Sequence, residues 1–142
     1  MITATFSRLL SPASRYNARI IAVNRRDYVH STPLSGEELN ALAGKDEDAH
    51  SRFLRDRGLE IARFLCYVIT ELKIPQASSK NDATSSGGLA IMGWSLGNLF
   101  SIAFVANLET YPPEVLRILE HYLKSLFIYG ERCLDRDVDL LS

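Results

Sequence analysis

The chain has 142 residues, which is enough for one domain of ordinary size. Apolar residues make up 46% of it, a globular composition that excludes a disordered or fibrous chain. Sixteen Lys and Arg against seventeen Asp and Glu leave a formal net charge of −1, which argues against a general nucleic-acid binder. Two cysteines, Cys66 and Cys133, are too few for a disulfide framework. Because the first residues do not form a signal peptide, the sequence predicts a cytoplasmic protein.

The first half of the chain is predicted to contain helices and one strand. Apolar residues at helical spacing predict a helix over 1–17. The β-branched run Arg-Ile-Ile-Ala-Val at 19–23 predicts a buried strand. A helical pattern interrupted at Gly44 predicts helices over 37–73, and Pro75 ends them.

The second half repeats this alternation. An apolar run predicts a buried strand over 88–93, followed by helices over 96–122, a strand over 123–129 and a charged tail over 130–142. Strands that alternate with helices are typical of a parallel sheet. The sequence therefore predicts an α/β fold in a single domain, with a short parallel sheet of about three strands flanked by helices.

One motif in the chain carries chemistry. Gly93-Trp94-Ser95-Leu96-Gly97 matches G-x-S-x-G, with a predicted strand before it and a predicted helix after it, which is the setting of a nucleophile elbow. The turn would raise the Ser95 hydroxyl above the sheet, and a side chain at either glycine would collide with a neighbouring element. The backbone N–H of Leu96 would donate to an oxyanion at the helix amino terminus. Trp94 either lines an acyl pocket or packs in an ordinary way.

With this motif the chain resembles the α/β-hydrolase superfamily. Residues 19–28 and Ser31 resemble that family's fourth strand and the turn after it. The long helix to Leu72 resembles the next crossover, and residues 114–129 resemble the helix and sixth strand after the elbow. The resemblance implies hydrolysis of an ester or similar acyl bond of a small-molecule substrate through a Ser95 acyl-enzyme, with no cofactor or metal.

The resemblance covers about residues 5–129 and corresponds to the middle of the family's domain. The family's first three strands, its oxyanion loop, its acid and its histidine find no counterpart, so we expect a partial domain without a complete triad. Without the family's third strand, the strands at 19–23 and 89–92 are expected to pair directly.

The general base and acid are therefore open. His30, in the loop after the first predicted strand, either approaches Ser95 or is an ordinary loop histidine. His50 is predicted on a helix surface and His121 at a helix end. Three acidic residues of the tail are either a remnant of the family's acid or a solvated segment: Asp135, Asp137 and Asp139.

Two other functions compete with the hydrolase. A catalytically inactive chain would act as an interaction protein and self-associate through exposed sheet edges. Residues 83–108 contain no charged side chain and are long enough to anchor the chain in a membrane. The G-x-S-x-G elbow accounts for Gly93 and Gly97 with less strain on the rest of the sequence. No Cys/His pair has zinc spacing, so no metal site is predicted.

Overall fold

The computed structural model describes residues 2–78 and 87–130. The chain divides into two compact units, the first ending at Lys45 and the second beginning at Asp46. The first unit contains helix α1 (Ile2–Ala13), which continues into a 3-10 turn at Ser14–Tyr16, and helix α2 (Gly36–Ala43).

Helix α2 begins with a capping box. The Glu38 N–H donates to Ser35 Oγ at 3.2 Å, and the Ser35 N–H donates to Glu38 Oε2 at 2.6 Å. Arg26 adds a two-pronged contact, because its guanidinium donates to both Glu38 carboxylate oxygens at 2.6 and 2.8 Å. It also donates to the Pro33 carbonyl at 2.7 Å, so one side chain fixes the loop before α2.

The predicted strand at 19–23 is wrong. These residues form no regular element, and Ile20, Ile21 and Val23 are exposed. A β-branched run predicts a strand only where a neighbouring strand accepts its hydrogen bonds, because the strand preference comes mainly from packing on a sheet. Because 19–23 forms no strand, its expected pairing with 89–92 is also wrong. Among the described residues the sheet has two strands instead of three.

The second unit is an α/β arrangement, as predicted. Between its helices, residues 89–94 and 123–129 form two parallel hydrogen-bonded strands. Leu89 lies opposite Leu123 and Trp94 opposite Tyr129, with a one-residue shift of register between Leu89 and Ala90. A short 3-10 turn at Leu108–Thr110 precedes the last helix. In chain order the elements are α3 (Glu47–Glu71), β1 (Leu89–Trp94), α4 (Gly97–Ala106), α5 (Pro113–Leu119) and β2 (Leu123–Tyr129).

The core of this unit lies between the helices and one face of the sheet. Phe104 of α4 is fully buried, and Tyr111 stacks on it with ring centroids 6.2 Å apart. The Tyr111 hydroxyl donates to the Phe104 carbonyl at 3.1 Å. Gly58 allows α3 to approach at this point, because a Cβ there would lie 2.9 Å from the Ala103 carbonyl oxygen and would overlap the Tyr111 hydroxyl.

The opposite face of the sheet is exposed, although the sequence predicted strands buried on both sides. Side chains alternate along a strand, so residues packed on the helices alternate with residues facing away from them. We call this second set the outer face. Its members are Ala90, Met92 and Trp94 of β1 and their partners Ser125, Phe127 and Tyr129 of β2, all of them exposed.

The proposed membrane anchor at 83–108 is also wrong for the residues that the structure describes. Residues 89–94 form β1, a turn follows, and α4 has only ten residues. Nowhere in residues 2–78 and 87–130 does a helix have the length and apolar character needed to cross a membrane.

Candidate active site

Ser95 lies in the sharp turn between β1 and α4. Its φ is +53°, in the left-handed region that an L-residue other than glycine rarely adopts. The residue is exposed. The strand therefore ends in a strained turn that presents a serine hydroxyl to solvent at the carboxyl-terminal edge of the sheet.

The end of β2 anchors this turn. The Ser95 N–H donates to the Tyr129 carbonyl at 3.0 Å, and Asn98 Nδ2 donates to the same oxygen at 3.0 Å. Within the turn, the Asn98 N–H donates to the Ser95 carbonyl at 2.9 Å. Asn98 Oδ1 is buried and accepts no hydrogen bond from the described residues. These contacts fix the Ser95 backbone from both sides.

The two elbow glycines differ in their surroundings. A Cβ at Gly93 would lie 2.6 Å from Asn98 Oδ1, 2.8 Å from Ser101 Oγ and 3.0 Å from Asn98 Cα, so only glycine fits there. At Gly97 the expected collision is wrong, because a Cβ would meet nothing within 4 Å among the described residues. Of the two elbow glycines, only Gly93 lies where α4 approaches the sheet closely.

The amino terminus of α4 can supply an oxyanion donor. Leu96 has helical φ and ψ angles of −58° and −22° and caps the ten-residue helix that begins at Gly97. The first N–H groups of a helix have no acceptor within it, and they carry its partial positive charge. The Leu96 N–H is therefore suited to stabilise negative charge that develops beside Ser95.

Exposed apolar side chains flank the serine in the chain. Trp94, directly before it, is 42% exposed and lies on the outer face opposite Tyr129. Leu96, directly after it, is also exposed. A role of Trp94 in an acyl pocket stays a prediction.

The described residues provide no base for Ser95, whose hydroxyl makes no hydrogen bond to any of them. His121 precedes β2, so it lies at the amino-terminal edge of the parallel sheet, opposite Ser95. His50 belongs to the first turn of α3. His30 is an exposed residue of the first unit with a φ of +67°. The predicted acids Asp135, Asp137 and Asp139 lie outside the described residues.

The described part of the chain contains neither a cluster of metal-binding side chains nor an activated cysteine nucleophile. No group of three His, Cys, Asp or Glu side chains lies close enough there to hold a metal ion. Cys66 of α3 is half-buried, and burial raises the pKa of its thiol, so the reactive thiolate is disfavoured. Cys133 lies outside the described residues.

Comparison of the chain with protein-family models, curated proteins and solved structures found no match. The function of the chain is therefore inferred from the geometry around Ser95. Two residues of that geometry escaped sequence analysis, Asn98 and Tyr129. An asparagine three residues after the motif serine carries no recognised signal, and the carbonyl that it binds is 31 residues away in the chain.

Proposed function

We propose that the chain is an α/β-hydrolase-like serine hydrolase that cleaves an ester or similar acyl bond of a small-molecule substrate at Ser95. The observation that carries this proposal is the positive φ of Ser95 between a strand and a helix. Holding a serine in this conformation costs about 1–2 kcal/mol, and a glycine would avoid that cost. A cytoplasmic location belongs to the same proposal, because the low cysteine content fits a reducing compartment.

In the proposed reaction, Ser95 Oγ attacks the acyl carbonyl carbon while its proton passes to a general base. The tetrahedral oxyanion accepts a hydrogen bond from the Leu96 N–H at the start of α4. The alcohol leaves with a proton, which gives an acyl-enzyme at Ser95. Water then attacks the same carbonyl and releases the carboxylic acid. The base and a second oxyanion donor are not identified among the described residues.

The test combines covalent labelling with turnover. The full chain is incubated with a fluorophosphonate, which phosphonylates activated serines, and the labelled peptide is identified by mass spectrometry. We expect a single adduct on Ser95 and none in a Ser95→Ala variant. Ser125→Ala, which removes an exposed serine of β2, is the matched control and keeps the label. Equal hydrolysis of a p-nitrophenyl ester by the chain and by Ser95→Ala would contradict the proposal.

The outer face favours a second function, that of a catalytically inactive interaction protein. Met92 and Phe127 are 50% and 57% exposed although they lie side by side on neighbouring strands. Within residues 2–78 and 87–130, both strands of the two-stranded sheet are also edge strands, whose outward backbone groups can pair with another chain. A molecular mass that rises with protein concentration, together with no labelling of Ser95, would favour this function over hydrolysis.

A further inference from the structure

An open groove lies at the amino-terminal edge of the sheet, where α3 ends and α5 turns into β2. Its volume is about 490 Å³, within the range of small-molecule sites. The turn residues His121 and Tyr122 line it and directly precede β2. Since β2 rises about 3.3 Å per residue, its seven residues separate the groove from the Ser95 edge by roughly 20 Å.

The groove combines an apolar surface with positive charge. Ile69, Ile118 and Tyr122 supply the apolar part, and Ile69 is buried. The charged residues of the lining are Lys73 and Arg117, both basic, and the lining also contains His121. This sign is local, because the whole chain has a formal net charge of −1.

These basic side chains are not needed to cap the two helices. At the end of α3, the Ile74 N–H donates to the Ile69 carbonyl at 3.1 Å, helped by the positive φ of +51° at Lys73. At the end of α5, the Tyr122 N–H donates to the Leu119 carbonyl at 3.0 Å. Backbone groups thus already satisfy carbonyls that a basic side chain would otherwise bind.

Lys73 and Arg117 are also without an ionic partner in the described part of the chain. Neither the Lys73 ammonium nor the Arg117 guanidinium makes an ion pair or hydrogen bond to residues 2–78 or 87–130. His121 differs, because its Nε2 lies 3.3 Å from Glu120 Oε1. The groove therefore presents two free positive groups beside an apolar floor.

We propose that this groove binds a small amphiphilic anion, with an apolar body on Ile69 and Ile118 and a carboxylate or phosphate group at Lys73 and Arg117. Arginine binds either anion through two parallel hydrogen bonds, and lysine adds a point charge. The site is independent of the proposed chemistry at Ser95, since it lies at the other edge of the sheet.

The test follows backbone amide chemical shifts while the full chain is titrated with octanoate, octyl phosphate and 1-octanol, each below its aggregation limit. We expect saturable shifts around Lys73 and Arg117 with both anions, and weaker binding of 1-octanol. Tighter binding of octanoate assigns the carboxylate and tighter binding of octyl phosphate assigns the phosphate, and either supports the site. Acetate and inorganic phosphate should bind more weakly, because they lack the apolar body.

A pair of double variants completes the experiment. Lys73→Gln with Arg117→Gln should weaken binding of the octyl anions at least about tenfold. Arg55→Gln with Arg63→Gln removes the same charge from exposed positions of α3 outside the groove and should leave affinity unchanged. The proposal is overturned if neither octyl anion saturates, if 1-octanol or acetate binds as tightly as octanoate, or if both double variants bind alike. Unchanged amide shifts elsewhere confirm that the variants fold.

Discussion

At the scale of single residues, Ser95 carries a conformational cost that its chemistry would explain. Its φ of +53° suits glycine, so Ser95→Gly should raise the free energy of unfolding by about 1 kcal/mol. Ser95→Ala keeps the strained backbone and should leave that free energy nearly unchanged. Both variants should lose fluorophosphonate labelling. Urea unfolding followed by circular dichroism measures the difference, and a glycine variant no more stable than the alanine variant would refute the strain argument.

The two elbow glycines offer a matched pair of substitutions. Gly93→Ala places a methyl group 3.0 Å from Asn98 Cα, a backbone atom that cannot rotate away. We expect this variant to lower the free energy of unfolding by about 1–3 kcal/mol. Gly97→Ala enters open space and should change it by no more than about 0.5 kcal/mol. Urea midpoints of the two variants measure the contrast, and equal losses would show that α4 does not approach the sheet at Gly93.

At the scale of elements, Tyr111 links α3 to α4 through its buried ring and hydroxyl. Burial raises the pKa of Tyr111 from 10.0 to about 12. The folded state therefore retains the phenol proton where the unfolded state has lost it, so stability falls as pH rises from about 10 to about 12. Tyr111→Phe lacks this dependence but loses the hydrogen bond to Phe104, worth about 1 kcal/mol below pH 10.

The unfolding free energies of the two proteins should therefore converge and then cross within this interval of pH, because a pKa difference of this size outweighs one hydrogen bond. Chemical denaturation at several alkaline pH values measures them. Tyr67→Phe is the control, because Tyr67 is an exposed tyrosine of α3 and its loss should leave the dependence of the native chain in place. Parallel curves for the native chain and Tyr111→Phe would mean that the Tyr111 hydroxyl is not buried.

The stability of helix α2 depends more on Glu38 than on the neighbouring Glu37. Glu38→Gln removes the charged acceptor of both Arg26 hydrogen bonds and weakens the capping box, while Glu37→Gln alters an exposed residue of the same turn. The loss of about 1 kcal/mol or more should make α2 amides exchange several-fold faster in Glu38→Gln. Hydrogen exchange measured by mass spectrometry tests this. The same exchange rate in both variants would show that Arg26 does not stabilise α2.

At the scale of the whole molecule, local pattern predicted those elements whose partners are present. The runs at 88–93 and 123–129 both predicted strands, and they pair with each other as β1 and β2. The run at 19–23 has similar composition but forms no strand. Composition alone did not predict this, because it does not reveal whether a neighbouring strand exists. Nor does a short apolar run show that one face stays uncovered, as the outer face does.

The candidate active site and the groove also divide into features that are local in the chain, which the sequence predicts, and features that join distant segments, which it does not. The G-x-S-x-G motif placed Ser95 in a strand–turn–helix because every part of that geometry is local in the chain. The anchoring of Ser95 and Asn98 on the Tyr129 carbonyl joins segments about thirty residues apart and leaves no local pattern. The groove is assembled from the end of α3 and from α5 with its following turn, so its positive charge becomes visible only when the helices pack.

The outer face predicts how the protein behaves at high concentration. Exposed apolar side chains on a sheet with two edge strands favour association of copies, so the weight-average mass in sedimentation velocity should rise with concentration. Phe127→Glu places a charge on this face and should hold the protein at its monomer mass. Tyr67→Glu is the matched control, because Tyr67 is 62% exposed against 57% for Phe127 but lies on α3. A native chain that stays monomeric throughout, or two variants that associate alike, would mean that the outer face is not the contact surface.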